Sequence, residues 1–249
     1  MIVLVVAAGL AGLVDAVVGG GGLIQIPTLF TVFPGATPAT LFGTNKVASI
    51  FGTGNAALRY MKAIRVPWQA ALPAAFAAFV FSYFGAMTVA LLPKALLRPV
   101  MLVLLILVAL YTLARKDFGS VDENRIHGRR DTVVALLLGA AIGFYDGFFG
   151  PGAGSFLIFL FVRFFGLDFL RASGAAKIVN VATNAAALLY FLPNGNVLPT
   201  VALLMAVANV TGSQIGARLA IRHGSGFVRR VFLVVVTALI GKFGYDTLL

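Results

Sequence analysis

Residues 14–27 read VDAVVGGGGLIQIP, and residues 145–158 return the pattern as YDGFFGPGAGSFLI. In both stretches an aspartate stands one helical turn ahead of a glycine-rich break, with long apolar sequence on either side. Asp146 follows Asp15 by 131 residues. Applied to the whole chain without a gap, that shift superposes Gly12 on Gly143, Gly19 on Gly150, Gly21 on Gly152, Gly43 on Gly174, Lys46 on Lys177, Ser82 on Ser213, Gly85 on Gly216 and Arg98 on Arg229. So many matches at one offset, in sequence biased toward Ala, Leu, Val and Phe, mark an internal duplication.

Composition sets the environment of the duplication. Of 249 residues 60% are hydrophobic and only 11% charged, with a mean hydropathy of +1.01, whereas soluble domains are roughly half apolar and about a quarter charged. The chain therefore reads as an all-α integral membrane protein with no separate soluble domain. Segments near the ~20 residues of a crossing lie at about 39–58, 68–92, 95–114, 172–191, 198–217 and 228–245, beside the glycine-broken segments 2–33 and 133–165. Repeat 1 is expected at 1–118, a polar linker at 119–131 and repeat 2 at 132–249. Cysteine is absent. The opening apolar stretch lacks a basic flank and runs into the repeat, so it reads as mature structure rather than as a cleaved signal.

The net charge of +11 would suggest nucleic acid in a soluble protein. Here Lys and Arg fall in short loops, where they act as topology signals, and nucleic-acid binding is not expected. If each broken segment crosses the bilayer, the copies are parallel, and Arg59, Lys62, Arg65, Arg115, Lys116, Arg125, Arg129 and Arg130 face an equal number of loop cations on the other side. If each dips in and returns, Arg163, Arg171, Arg218, Arg222, Arg229 and Arg230 join the first group, leaving only Lys94 and Arg98 opposite. Cytoplasmic loops collect Lys and Arg, so the expectation is two inverted repeats. Each is a re-entrant, glycine-broken helical hairpin followed by three transmembrane helices, with both termini outside and the linker cytoplasmic. Segment 2–33 would be about 48 Å long as one helix, which suits two bent arms better than one crossing of a ~30 Å core.

Irregular backbone at membrane depth is tolerated only beside protein or a water-filled cavity. Inverted repeats with broken helices characterise secondary transporters, in which half-helix N-termini point at an anionic substrate near the midplane. The second arms begin at about Gly20, Gly21 and Gly22 and at Gly152, Ala153 and Gly154, where backbone N–H groups can receive an anion. The competing reading is that these glycines only permit close helix packing. Lys46 and Lys177 lie mid-span and Asp15 and Asp146 are the deeply placed acids; charge at such depth is by default functional. The alternative is a structural Lys–Asp pair closing each hairpin against the next span, and both readings can hold together. Asn45, Ser49, Asn180 and Asn184 lie near the lysines in sequence and either contact ligand or bond between helices. His127 and His223 read as isolated loop residues without metal-ligand company, and Trp68 and Tyr60 as interfacial anchors. No nucleophile with its base is present, so no enzyme is expected, and no metal or cofactor either.

Together, GGGGLIQIP with its preceding aspartate, FGTNKVAS, GFYDGFFGPGAGSF and ASGAAKIVNVATN resemble the TauE/SafE family of sulfite exporters, most of all its YfcA-type branch, over essentially the whole chain. The resemblance implies transport of sulfite, other sulfur oxyanions or organosulfonates across the bacterial inner membrane. The expected function is a secondary transporter exporting such an anion by alternating access at a midplane site. Its partners would be the small anion, coupling protons and membrane lipid, with assembly into a homo-oligomer left open. The site would comprise the six glycine-break residues, both lysines and their polar neighbours, with Asp15 and Asp146 holding the lysines or carrying protons. A passive anion channel and a non-transporting structural membrane subunit are the alternatives. GPGAGS departs from the plain glycine run of the first copy, so the half-sites are expected to be inequivalent.

Overall fold

The computed structural model describes residues 1–89 and 128–248. The span expected at 95–114, Lys94, Arg98, His127 and most of the 119–131 linker lie outside the described residues. Within them the protein is all-helical, with no strand: α1 (Ile2–Val18), α2 (Gly22–Val32), α3 (Pro38–Ala63), α4 (Trp68–Met87), α5 (Arg129–Phe148), α6 (Ala153–Phe165), α7 (Phe169–Phe191) and α8 (Pro199–Leu248). Helix α8 is interrupted at Gly224, whose φ of 71° is non-helical. The spans expected at 198–217 and 228–245 fall on either side of that kink.

Local chemistry explains the boundaries. Thr37 caps α3 by accepting the Thr40 N–H at 3.2 Å, with Pro38 in the first turn, and Asp168 caps α7 by accepting the Arg171 N–H at 2.9 Å. Side-chain oxygens at this position satisfy donors that the helix cannot, and the two caps are related by the 131-residue shift. Helix α1 ends where Gly19 adopts φ 80° and returns its N–H to the Asp15 carbonyl at 2.8 Å, a left-handed terminator that glycine adopts without a side-chain clash. Helix α5 ends differently: Phe149 returns its N–H to the Tyr145 carbonyl at 2.8 Å, and left-handed Gly150, φ 90°, follows it and donates to the same carbonyl at 3.2 Å.

The described helices α4, α5 and α8 as far as Ala238 have the length and composition of membrane spans. Helices α3 and α7, 26 and 23 residues long, miss that class on composition because their buried faces carry Thr44, Asn45, Lys46, Ser173, Lys177 and Asn180. Helices α1, α2 and α6 are short. Leu4 and Ala8 of α1 share a buried cluster with Leu29 of α2, flanked by Phe30 and Phe33. The end of α2 has therefore come back to the beginning of α1.

The most extensive pairings are α4 with α5 and α1 with α8, and both depend on small residues. A methyl group added at Gly12 would overlap the backbone of Asn209, and one at Gly143 the backbone of Ala78; the two contacts are images under the 131-residue shift. Helices α3 and α7 run antiparallel. Gly43 abuts Phe191 at one end, Gly174 abuts Tyr60 and Ile64 at the other, and there Arg171 Nε donates to the Arg65 carbonyl at 3.0 Å. The shift turns Gly43 into Gly174 and Tyr60 into Phe191, so these are one contact seen from both copies. Tyr60 is no interfacial anchor: it is fully buried and donates to the Ala16 carbonyl at 3.0 Å. His223 likewise sits within α8, against the Leu219 carbonyl, rather than in a loop.

Close helix approach in a bilayer rests on packing more than on solvent exclusion. Gly143→Val should therefore lower thermal stability in detergent by about 1–3 kcal/mol, the usual penalty for overpacking. Gly54→Ala, where nothing lies within 4 Å of an added methyl, should cost nothing. Equal melting of both variants with the wild type would contradict the packing account.

Candidate functional site

The two breaks meet tip to tip. Ser155 N–H donates to the Gly19 carbonyl at 3.2 Å and Ser155 Oγ to the Val18 carbonyl at 2.8 Å. Gly19 and Gly154 touch backbone to backbone, where any side chain would collide, and Gly22 faces Pro151. The turns are unequal. In the first break Gly19 takes a left-handed conformation while Gly21, with φ −58°, is already helical. In the second, Gly150 and Gly152 are both left-handed around Pro151.

Four charges surround this junction, and each pair crosses between the copies. Lys46 Nζ lies 2.9 Å from Asp146 Oδ2, with side chains 4% and 8% exposed, and Lys177 Nζ lies 3.4 Å from Asp15 Oδ2, with side chains 0% and 18% exposed. The pairs thus tie each span to the opposite hairpin, not to the hairpin that precedes it. Asp15 also accepts from Thr53 Oγ1 at 3.2 Å and from the Gly21 N–H at 3.4 Å. Among the described residues, the Asp146 carboxylate has Lys46 as its sole hydrogen-bonding or ionic partner.

Between the breaks lies a cavity of about 30 Å3, enough for about two waters or an anion of a few heavy atoms. It is lined by Asp15, Gly19, Gly22, Asn45, Lys46, Ser49, Thr53, Asp146, Gly150, Gly154, Asn180 and Asn184. Most of the residues singled out in sequence meet here. Gly20, Gly21, Gly152, Ala153 and Lys177 stand behind the wall; the Gly21 N–H is engaged by Asp15 and that of Ala153 by the Gly150 carbonyl at 3.1 Å. Asn45 and Asn180, 5% and 6% exposed, each leave a buried amide oxygen without a hydrogen bond. Buried amides are normally satisfied, so these two mark places where water or ligand belongs.

Sequence reasoning missed Thr53, although the shift that found the lysines maps it onto Asn184; Lys46, Ser49 and Thr53 repeat as Lys177, Asn180 and Asn184 on one face of each helix. Gly19 and Gly150 were visible as matched glycines but not as cavity wall. Gln25 was not singled out at all. It is fully buried on the first turn of α2 with both amide atoms unpaired, and nothing in the structure explains it.

The electrostatics give the Lys177–Asp15 pair a structural consequence. Removing one member of a buried pair strands the other, typically at about 3–5 kcal/mol. Lys177→Met or Asp15→Asn alone should destabilise by roughly 3 kcal/mol, toward the low end because Asp15 is partly exposed, and the double variant should recover most of it. Additive losses in thermal unfolding would show that the pair is not coupled.

A model of the family described as Sulfite exporter TauE/SafE matches residues 4–243. Three curated relatives cover nearly the whole chain. "Probable membrane transporter protein ORF9" of Sinorhizobium sp is 37% identical over 237 residues, 95% of this chain and 89% of that one. "Probable membrane transporter protein YfcA" of Escherichia coli (strain K12) is 33% identical over 246 residues, 98% and 90%. A "Probable membrane transporter protein" of Haemophilus influenzae is 30% identical over 236 residues, 95% and 91%. No solved structure matches the chain.

Proposed function

The chain belongs to the TauE/SafE sulfite exporter family and is a membrane transporter; on that footing we propose that it exports a small anion, sulfite or another sulfur oxyanion or organosulfonate, by alternating access at a site between two inverted repeats. The observation that carries this is the junction of the breaks, where Lys46, two unsatisfied amides and the glycine backbone of both hairpins surround one small cavity. Lys46 supplies positive charge at the wall, Gly22 and Gly154 supply backbone surface that an anion can approach closely, and Ser49, Asn180 and Asn184 supply polar contacts. Gly20, Gly21, Gly152 and Ala153 shape the turns, and Lys177 acts through Asp15. The two aspartates hold the lysines or carry coupling protons.

Inversion of the repeats, 1–118 and 132–249 about the 119–131 linker, is supported by the antiparallel α3 and α7, whose end contacts exchange under the 131-residue shift. It is supported too by the Arg171–Arg65 hydrogen bond, which joins the first turn of α7 to the loop after α3, two ends that parallel copies would hold on opposite faces. The location we assign is the inner membrane, with both termini outside and the linker in the cytoplasm. A small cavity in which Lys46 and Asp146 are held as an ion pair is poorly suited to an open channel.

Purified protein in proteoliposomes should carry radiolabelled sulfite saturably, respond to an imposed proton gradient, and be competed by sulfonates. Lys46→Ala and Lys177→Ala should each reduce flux at least about tenfold with membrane insertion intact; wild-type flux in both would remove the lysines from the mechanism. The natural chain has no cysteine, so single introduced thiols report orientation cleanly. Gly35→Cys and Asn194→Cys should label from the outer side and Lys62→Cys from the inner. Labelling of positions 35 and 194 from opposite sides would mean parallel copies.

A further inference from the structure

We propose that the two aspartates have different tasks: the transported anion displaces Asp146 from Lys46 and Asp146 takes up one proton, while Asp15 stays ionised as the fixed partner of Lys177. The proposal rests on the anion-transport reading above and assigns its coupling ion to one residue.

Charge balance leads to it. Two lysines and two aspartates meet at the junction, so their formal charge is already zero before any anion arrives. An anion that takes the Lys46 ammonium leaves the Asp146 carboxylate unpaired in a buried site, and an uncompensated buried charge is strongly disfavoured. A proton on that carboxylate removes the excess. The Asp146 carboxylate then carries an O–H, the ammonium donates to the anion instead, and no electrons move. The proton comes from water on the side to which the site is open. Each cycle would move one proton with one monovalent anion and leave the site neutral throughout.

The geometry tells the two pairs apart. Lys46 and Asp146 both line the cavity, whereas Lys177 stands behind its wall with its side chain fully buried. Asp15 is held from three directions, by Lys177, by Thr53 Oγ1 and by the Gly21 N–H, while among the described residues Asp146 has Lys46 alone. The surroundings of Asp146 offer no second cation among the described residues. Helix α4 brings no charged side chain, and α6 brings Arg163 only in its last turn. Helix α7 brings Lys177, already facing Asp15, and α1 brings Asp15 itself. On its own helix, the neighbouring Tyr145 hydroxyl donates to the Pro151 carbonyl. Among the described residues no side chain is placed to replace Lys46 when the anion arrives, and a proton can do so.

The test uses the full-length protein in detergent, weakly buffered, titrated with methanesulfonate, because sulfite itself titrates near neutrality. Anion binding is followed by calorimetry and proton uptake by a pH indicator. The wild type should take up about one proton per anion bound, by linkage of the two ligands at one site. Asp146→Asn should bind the anion with uptake reduced at least about fivefold, and Asp146→Glu, which restores an ionisable carboxyl, should recover uptake. Asp15→Asn should lose thermal stability yet keep its proton stoichiometry. Binding without proton uptake in the wild type, or loss of uptake in Asp15→Asn but not in Asp146→Asn, would overturn the assignment while leaving anion transport standing. If neither methanesulfonate nor sulfite binds the wild type, the transport reading fails and takes this proposal with it.

Discussion

A lysine buried in an apolar protein needs a partner for its charge, and among the described residues each of the two buried lysines takes a carboxylate from the other half of the chain. Lys46 reaches Asp146 and Lys177 reaches Asp15. Neither lysine is paired within its own half, so the ion pairs bind the halves together at the place where both helices are broken. The glycines follow from the same constraint. Gly19 and Gly154 must be bare for the tips to touch, and the touching tips bring the aspartates within reach of the opposite lysines. Small residues along α1, α5 and α8 then let the flanking helices close around the junction.

Much of this was legible in sequence because the duplication repeats it. One constant offset identified the breaks and the four charges, apolar length suggested the spans, and loop cations suggested the orientation. The partner of each lysine was not legible. An offset says that Lys46 and Lys177 are equivalent, but a structure in which each pairs with its own hairpin would have given the same pattern. Thr53 was missed because threonine is common in apolar helices and draws attention only when set beside Asn184. Tyr60 was misread because an aromatic near a span end ordinarily anchors at the interface; its equivalent, Phe191, is fully buried, and that correspondence was the available clue. The polarity of α3 and α7 belongs to a buried face, where Thr44, Asn45, Lys46, Ser173, Lys177 and Asn180 lie.

The cavity joins fold to function through two magnitudes. At about 30 Å3 it suits an anion of a few heavy atoms, in keeping with small sulfur oxyanions and with bulkier sulfonates only if the hairpins part. The formal charge of its two lysines and two aspartates is already balanced, so in the proposed mechanism an arriving anion displaces one of the partners. In the proposed mechanism, opening the Lys46–Asp146 pair to bind cargo would give the site a second arrangement, as alternating access requires.

The most direct test of that account is an anomalous-scattering map of crystals soaked with selenite, a heavier analogue of sulfite. The account predicts a peak within hydrogen-bonding reach of Lys46 Nζ and beside the backbone of Gly22 and Gly154, with Asp146 withdrawn from the ammonium. A peak confined to the arginine-rich loops, with the Lys46–Asp146 contact intact and the cavity without selenium, would contradict it.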